Sequence, residues 1–133
     1  YYTTFKKYKK NFLKKIFTKN KFDYSSFIKD TSIGTSTIVL KKKLTKNIKF
    51  SDTPILEDYF FKCQLLKKVK HAYCLNKYLT LYQIRDNSLQ SNKLRNVYWL
   101  WLINSKYNKL SFLDNFFSIL SVSINSIKKY GFK

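Results

Sequence analysis

The sequence predicts an α/β fold: an incomplete mixed sheet with flanking helices that ends in a helical hairpin. Three observations carry that expectation. A β-branched run, "TSTIVL", follows Gly34; two short alternating runs, "HAYCLN" and "YLTLYQIR", follow a helix-like segment; and two apolar stripes at helical spacing fill the chain from residue 91 onward. With 133 residues, 44% of them hydrophobic and 19% aromatic, the chain has the length of one domain and enough apolar surface for a core, which excludes a disordered chain.

Taken in order, the opening "YYTTFKKYKKNFLKKIFTKNKF" places Phe5, Tyr8, Phe12 and Phe17 among lysines, loosely as one face of a basic helix. "FDYSSFIKD" suits a short helix, Gly34 marks a turn, and "TSTIVL" reads as a buried strand. Thr53 before Pro54 is a good N-cap and first-turn pair, and Leu56, Tyr59 or Phe60, Cys63 and Leu66 recur at helical spacing, which predicts a helix over 55–68. Residues 31–84 are thus expected to form the sheet, with that helix on one face. "NSLQSNK" is a polar break. Beyond it, Leu94, Val97, Tyr98, Trp101 and Leu102 form one stripe, and Leu113, Phe116, Phe117, Leu120, Ile124 and Ile127 form a second. Between them Ser111 and Asp114 make a capping-box pattern.

A net charge of +20, from 27 Lys plus Arg against 7 Asp plus Glu, points first to polyanions. Only Arg85 and Arg95 break the run of lysines, and abundant Lys, Asn, Ile, Phe and Tyr with scarce Gly and Pro is also the residue usage of an AT-rich genome, so part of the charge reads as coding bias on a solvated surface. Cys63 and Cys74 form no CxxC and His71 is the lone histidine, so they read as reduced, buried thiols rather than zinc ligands. "FFSILSVSI" is too short and too Ser-interrupted to span a bilayer, and no signal peptide is visible. A chain opening on Tyr1 in mid-pattern reads as a fragment of something longer.

Two constellations stand out as chemistry. Glu57 and Asp58, two of the scarce acids, sit side by side at a helix start. Acids there complement the helix dipole by about 0.3–1 kcal/mol each, which requires no function. Adjacent acids must also point in different directions, so one can cap while the other faces a cleft, where a carboxylate near cations stays ionised and can serve as a general base. The second constellation is Arg85, Asn87, Ser88, Ser91, Asn92 and Lys93, which leave a strand end and enter a helix; there backbone N–H groups and a cation converge on phosphate in α/β proteins.

The order "IGTSTIVLKKKL", then "LEDYFFKCQLLKK", then "AYCLNKYLTLYQIRDNSLQSNKL", then a Trp-rich helix resembles the C-terminal half of bacterial family 2 glycosyltransferases, enzymes of the GT-A fold type that build envelope polysaccharide. The resemblance covers about residues 22–110, through order and spacing together. It implies a partial GT-A-like domain at 1–110 with the acceptor side and catalytic base, followed by a C-terminal amphipathic helix at 111–133. Asp58 would be the base and Glu57 its orienter or the alternative base. Gly34, Thr35 and Ser36 would line the acceptor side, and Arg85, Ser88 and Ser91 would lie near the leaving diphosphate, with Lys93 in the same substrate-binding group.

The implied ligands are a nucleotide-sugar donor, a saccharide or lipid-linked acceptor, and a divalent metal, Mg or Mn, held in the full-length enzyme through a DxD motif. No DxD occurs in this chain, and the early β-α-β nucleotide half is absent. Relatives of this kind often carry Arg where Gln83 stands and His where Arg85 stands. The expected setting is cytoplasmic, peripheral at the inner face of the plasma membrane, with contact to anionic lipid and no specific nucleic acid. The rival reading is a basic RNA- or anionic-membrane-binding protein without enzymatic activity, favoured by aromatics interleaved with Lys in "YYTTFKKYKKNF" and opposed by the lack of RNP, KH or zinc-knuckle patterns.

Overall fold

The structure is a computed structural model that describes residues 1–9, 12–83 and 92–130. It is a mixed α/β fold with a C-terminal helical hairpin, consistent with a partial GT-A-like fold. Strands β1 (Tyr2–Lys9), β2 (Phe12–Ile16), β3 (Lys21–Phe22) and β4 (Ala72–Gln83) lie in the order β2-β1-β4-β3. β1 pairs antiparallel with β2 and parallel with β4, and β3 adds two antiparallel pairs to the far side of β4.

The sheet is therefore mixed, as expected, but most of it comes from elsewhere in the chain. The opening segment is not a basic helix: it supplies β1, β2 and β3. Its Tyr, Thr and Phe content favours the pleated state, and β1 gains a ladder against β4 that outweighs a loose three-residue period. The "TSTIVL" run is not a buried strand either. Thr35–Thr37 is a 3₁₀ turn, Ile38 makes a single bridge to Tyr2, and Val39 is exposed. The two short strands expected at 71–76 and 78–85 are one strand, Ala72–Gln83, with 84 and 85 outside the described residues. Asn76 adopts φ 51°, where the β1–β4 register shifts between the Tyr2↔Cys74 and Thr4↔Tyr78 pairs. Asn tolerates that left-handed conformation, so the strand bends and continues where the sequence suggested a break.

Helix α1 (Tyr24–Lys29) forms as expected, with Asp23 accepting from the Ser26 backbone N–H at 2.8 Å. It carries Phe27 into a core shared with Tyr2, Phe22, Ile33 and Ile103 and with Tyr59, Cys63 and Leu66 of helix α2 (Glu57–Lys68). Phe27 stacks on Tyr59 with ring centroids 5.6 Å apart and meets Phe22 edge-on at 6.1 Å. Both cysteines are free thiols; Cys63 is buried, as expected, but Cys74 only half so. Burial pushes the Cys63 thiol up to about 11, which keeps it protonated and inert.

Helices α3 (Lys93–Lys106) and α4 (Phe112–Tyr130) make the hairpin, and Ser111 caps α4 by accepting from the Asp114 N–H at 3.1 Å. The expected stripes, however, face outward. Leu113 is 65% and Phe117 56% exposed, whereas Asn115 and Ser118 are 0% exposed, and Leu94 on α3 is 83% exposed. A polar network decides the orientation. Tyr59 Oη donates to Asn104 Oδ1 at 2.8 Å, Asn104 Nδ2 donates to Ser118 Oγ at 3.3 Å, and Ser118 Oγ donates to the Ile28 carbonyl at 2.6 Å. Asn115 Nδ2 donates to the Trp101 carbonyl and Ser105 Oγ, and Asn125 Nδ2 to the Lys29 carbonyl. An amphipathic pattern fixes two faces but not which one turns inward, and small amides with partners can be the buried one. Among the described residues no helix is long and apolar enough to cross a membrane.

Two variants separate the faces. Asn104→Ala strands the Tyr59 hydroxyl and is expected to cost about 1–3 kcal/mol in urea unfolding. Leu113→Ser, on the opposite side of the hairpin, should change stability by less than about 0.5 kcal/mol. The reverse ranking would mean that the apolar stripe is the one packed inside.

Candidate active site

Helix α2 starts at Glu57, two residues later than the expected 55–68, with the acid pair in its first turn as expected. Thr53 does not cap the helix, because its hydroxyl is 2.7 Å from Ser51 Oγ in a buried pair. The residue before the helix is Leu56, at φ 61°, a left-handed conformation that costs a non-glycine residue about 1 kcal/mol. Buried Ile55 on one side and the core residue Tyr59 on the other hold that kink in place. Its effect is to begin the helix at Glu57, which is exposed, with Asp58 turned toward the 33–35 loop.

Asp58 is held from two sides. Its Oδ2 accepts a short hydrogen bond from Thr35 Oγ1 and another from Lys62 Nζ at 3.0 Å. The Lys62 ammonium, buried one helical turn on, also donates to the Ile33 carbonyl at 3.0 Å and Thr35 Oγ1 at 3.1 Å, and lies 5.9 Å from the Phe27 ring centre. Burial raises the Asp58 carboxyl, but the Lys62 charge and the hydrogen bonds from Thr35 and Lys62 outweigh it and hold the group below the ordinary carboxylate range. The side chain remains 25% exposed, so an ionised, oriented carboxylate is open to a ligand. That arrangement can accept a proton from a hydroxyl placed against it.

Of the residues singled out in the sequence, the structure brings Gly34, Thr35 and Asp58 together: Gly34 precedes the 3₁₀ turn and Thr35 touches the acid. Ser36 is exposed in the same turn and Glu57 is exposed at the helix start. Lys93 is the first residue of α3, with Asn92 capping that helix through the Arg95 N–H at 3.0 Å. Arg85, Ser88 and Ser91 lie outside the described residues. Lys62 is the site residue that sequence reading missed. Its signal was present as an acid followed by a Lys four positions on, the spacing that pairs charges along a helix. Among the described residues no group of three or more His, Cys, Asp or Glu side chains could hold a metal ion, so those residues do not by themselves fit the metal that the resemblance assigns to a DxD outside this chain.

Comparison with known proteins bears on this site. Over 106 residues the chain is 27% identical to a protein of Bacillus subtilis named as a teichuronic acid biosynthesis glycosyltransferase, covering 80% of this chain and 42% of that relative. Over 121 residues it is 25% identical to an uncharacterized glycosyltransferase of Haemophilus influenzae, covering 90% of this chain and 48% of the relative. Both relatives are named glycosyltransferases. The chain is thus distantly related to glycosyltransferases and spans less than half the length of each of these two relatives. No family model and no solved structure matches it.

The electrostatics of Asp58 give a pH test. A carboxyl held low in the folded chain contributes stability that is complete above its unfolded value, near about 4, and is lost as pH falls through the folded value. Asp58→Asn should therefore be less stable than the unsubstituted chain at neutral pH, with the gap narrowing as urea unfolding is repeated toward about pH 3. Unfolding curves that stay parallel at every pH would contradict it. Lys62→Met should cost about 1–3 kcal/mol and let the Asp58 carboxyl rise, as read by NMR titration of its side-chain carbon.

Proposed function

We propose that this chain is the acceptor-side half of an inverting glycosyltransferase of the family 2, GT-A type. The observation that carries the proposal is the Asp58 carboxylate, kept ionised by Lys62 and Thr35 at the open end of α2. The two relatives named glycosyltransferases support it. Residues 1–110 then form the acceptor-side part of the catalytic domain and 111–133 the C-terminal amphipathic segment.

In the reaction, Asp58 takes the proton of an acceptor hydroxyl while that oxygen attacks the anomeric carbon of a nucleotide sugar. The bond from that carbon to the diphosphate oxygen breaks on the opposite face, so the configuration inverts and the nucleoside diphosphate leaves. A carboxylate held below its ordinary range is a weak base, so proton transfer accompanies attack rather than preceding it. Lys62 keeps the charge in place, and Thr35 fixes which carboxylate oxygen is tied up. Gly34 and Ser36 line the acceptor side, with Glu57 as orienter. Arg85, Ser88, Ser91 and Lys93 are assigned to the departing diphosphate. A divalent metal, Mg or Mn, belongs to the proposal through a DxD in the donor half, which this chain does not contain. The acceptor is a saccharide or lipid-linked hydroxyl of envelope polysaccharide, met in the cytoplasm at the inner face of the plasma membrane.

The test is Asp58→Asn in the full-length enzyme. Turnover should fall by about 10²–10⁴ with donor binding nearly unchanged, and Glu57→Gln should cost less. Equal turnover of Asp58→Asn and the unsubstituted enzyme would reduce both acids to partners of the helix dipole. The isolated chain of 133 residues should not turn over a nucleotide sugar.

A further inference from the structure

The outward face of the α3–α4 hairpin has no partner within the described fold. Phe116, Phe117 and Leu120 on α4 and Val97 and Tyr98 on α3 are all exposed, and Trp101 meets Phe112 edge-on at 5.3 Å, so the two helical faces join across the hairpin. The orientation is fixed, because Asn115, Ser118 and Asn125 tie the opposite side of α4 to the body of the protein. Rotating α4 to hide its apolar side would bury nothing polar in exchange and would break those bonds. The face is also bordered by cations. Lys106 and Lys109 sit at the hairpin turn and Lys128 near the end of α4, all exposed, while Asp114 is the one acid in the sequence of the two helices.

We propose that this face seats the protein on an anionic phospholipid bilayer, with α3 and α4 lying in the plane of the head groups. Phe, Tyr, Trp and Leu side chains enter the boundary between head groups and acyl chains, and the flanking lysines meet lipid phosphates. Charge favours this occupant over a second copy. A face-to-face dimer would bring two lysine rims together, in a chain whose net charge is +20, whereas an anionic leaflet neutralises them. The inference rests on the proposed transferase only for which leaflet is met.

The experiment uses the 133-residue chain and vesicles of phosphatidylcholine, with or without about one third phosphatidylglycerol. Both tryptophans of the sequence, Trp99 and Trp101, lie on α3, and Trp101 touches Phe112 across the face, so emission recorded in a Trp99→Phe background reports on the face directly. On the anionic vesicles the emission should shift to the blue and be quenched by brominated acyl chains, and binding should weaken as salt is raised. Leu113→Ser combined with Phe117→Ser should lower vesicle affinity about tenfold or more while the circular dichroism spectrum is unchanged. Lys106→Gln combined with Lys128→Gln should flatten the salt dependence. The proposal is overturned by absence of vesicle binding, by equal binding of the Leu113/Phe117 variant, or by a dimer that the same variant makes monomeric, which would assign the face to a second copy. No arm requires turnover, so this inference and the transferase reading can fail separately.

Discussion

One run of hydrogen bonds passes through all four helices: Tyr59 of α2 to Asn104 of α3, Asn104 to Ser118 of α4, and Ser118 to the Ile28 carbonyl of α1. Asn108 adds a further bond to the same Asn104 oxygen at 3.1 Å. Each member is buried, and each would be costly alone, so the network forms as a set or not at all. Much of the molecule follows from it. It sets the depth of Tyr59, whose ring stacks on Phe27, and thereby the rotation of α2 against the core. It also chooses the buried side of α4, which turns the apolar side to solvent.

The rotation of α2 is what positions the candidate site. With Tyr59 locked inward, the preceding residue lies about a hundred degrees round the helix, at the rim, and the residue three beyond Tyr59 lies beneath it. Those residues are Asp58 and Lys62. The lysine is the only cation that the fold draws under this rim among the described residues, and it is held by the Ile33 carbonyl as well as by the acid. Three supports on one ammonium make the carboxylate a fixed feature rather than a mobile surface acid. Thr35 then couples the acid to a loop 23 residues earlier in the chain.

Local signals were legible where local chemistry decides. The short helix at "FDYSSFIKD", the cap at Ser111, the helix carrying Tyr59 and Cys63, and the two C-terminal helices are all written in side chains a few residues apart. The acid pair was legible as a helix start, and Thr35 was singled out only through the resemblance. What could not be read depended on distant partners. β1 is a strand because β4, about seventy residues away, offers it a parallel ladder, and "TSTIVL" reaches the sheet only through the single bridge of Ile38 to Tyr2, beside the stretch of β1 from Phe5 onward that β2 already pairs. The inversion of α4 was hidden for a similar reason: Asn115 and Ser118 are acceptable inside only because Trp101, Ser105, Asn104 and Ile28 supply their partners. Lys62 looked like one lysine among many until the Ile33 carbonyl gave it a place.

The acids explain why the charge of the chain acts at long range. Asp23 caps α1, Asp30 pairs with Lys129, Asp58 pairs with Lys62, and Asp114 bonds Ser111. Among the described residues these four acids have side-chain partners, and two of them each neutralise a single lysine. The sequence keeps a net charge of +20. A field of that sign attracts a nucleoside diphosphate and an anionic leaflet alike, and salt weakens both attractions. Charge alone therefore cannot distinguish a small phosphorylated molecule from an anionic surface. The discrimination has to come from short-range structure: a fixed carboxylate that can take a proton on one side, and an exposed apolar helical face on the other.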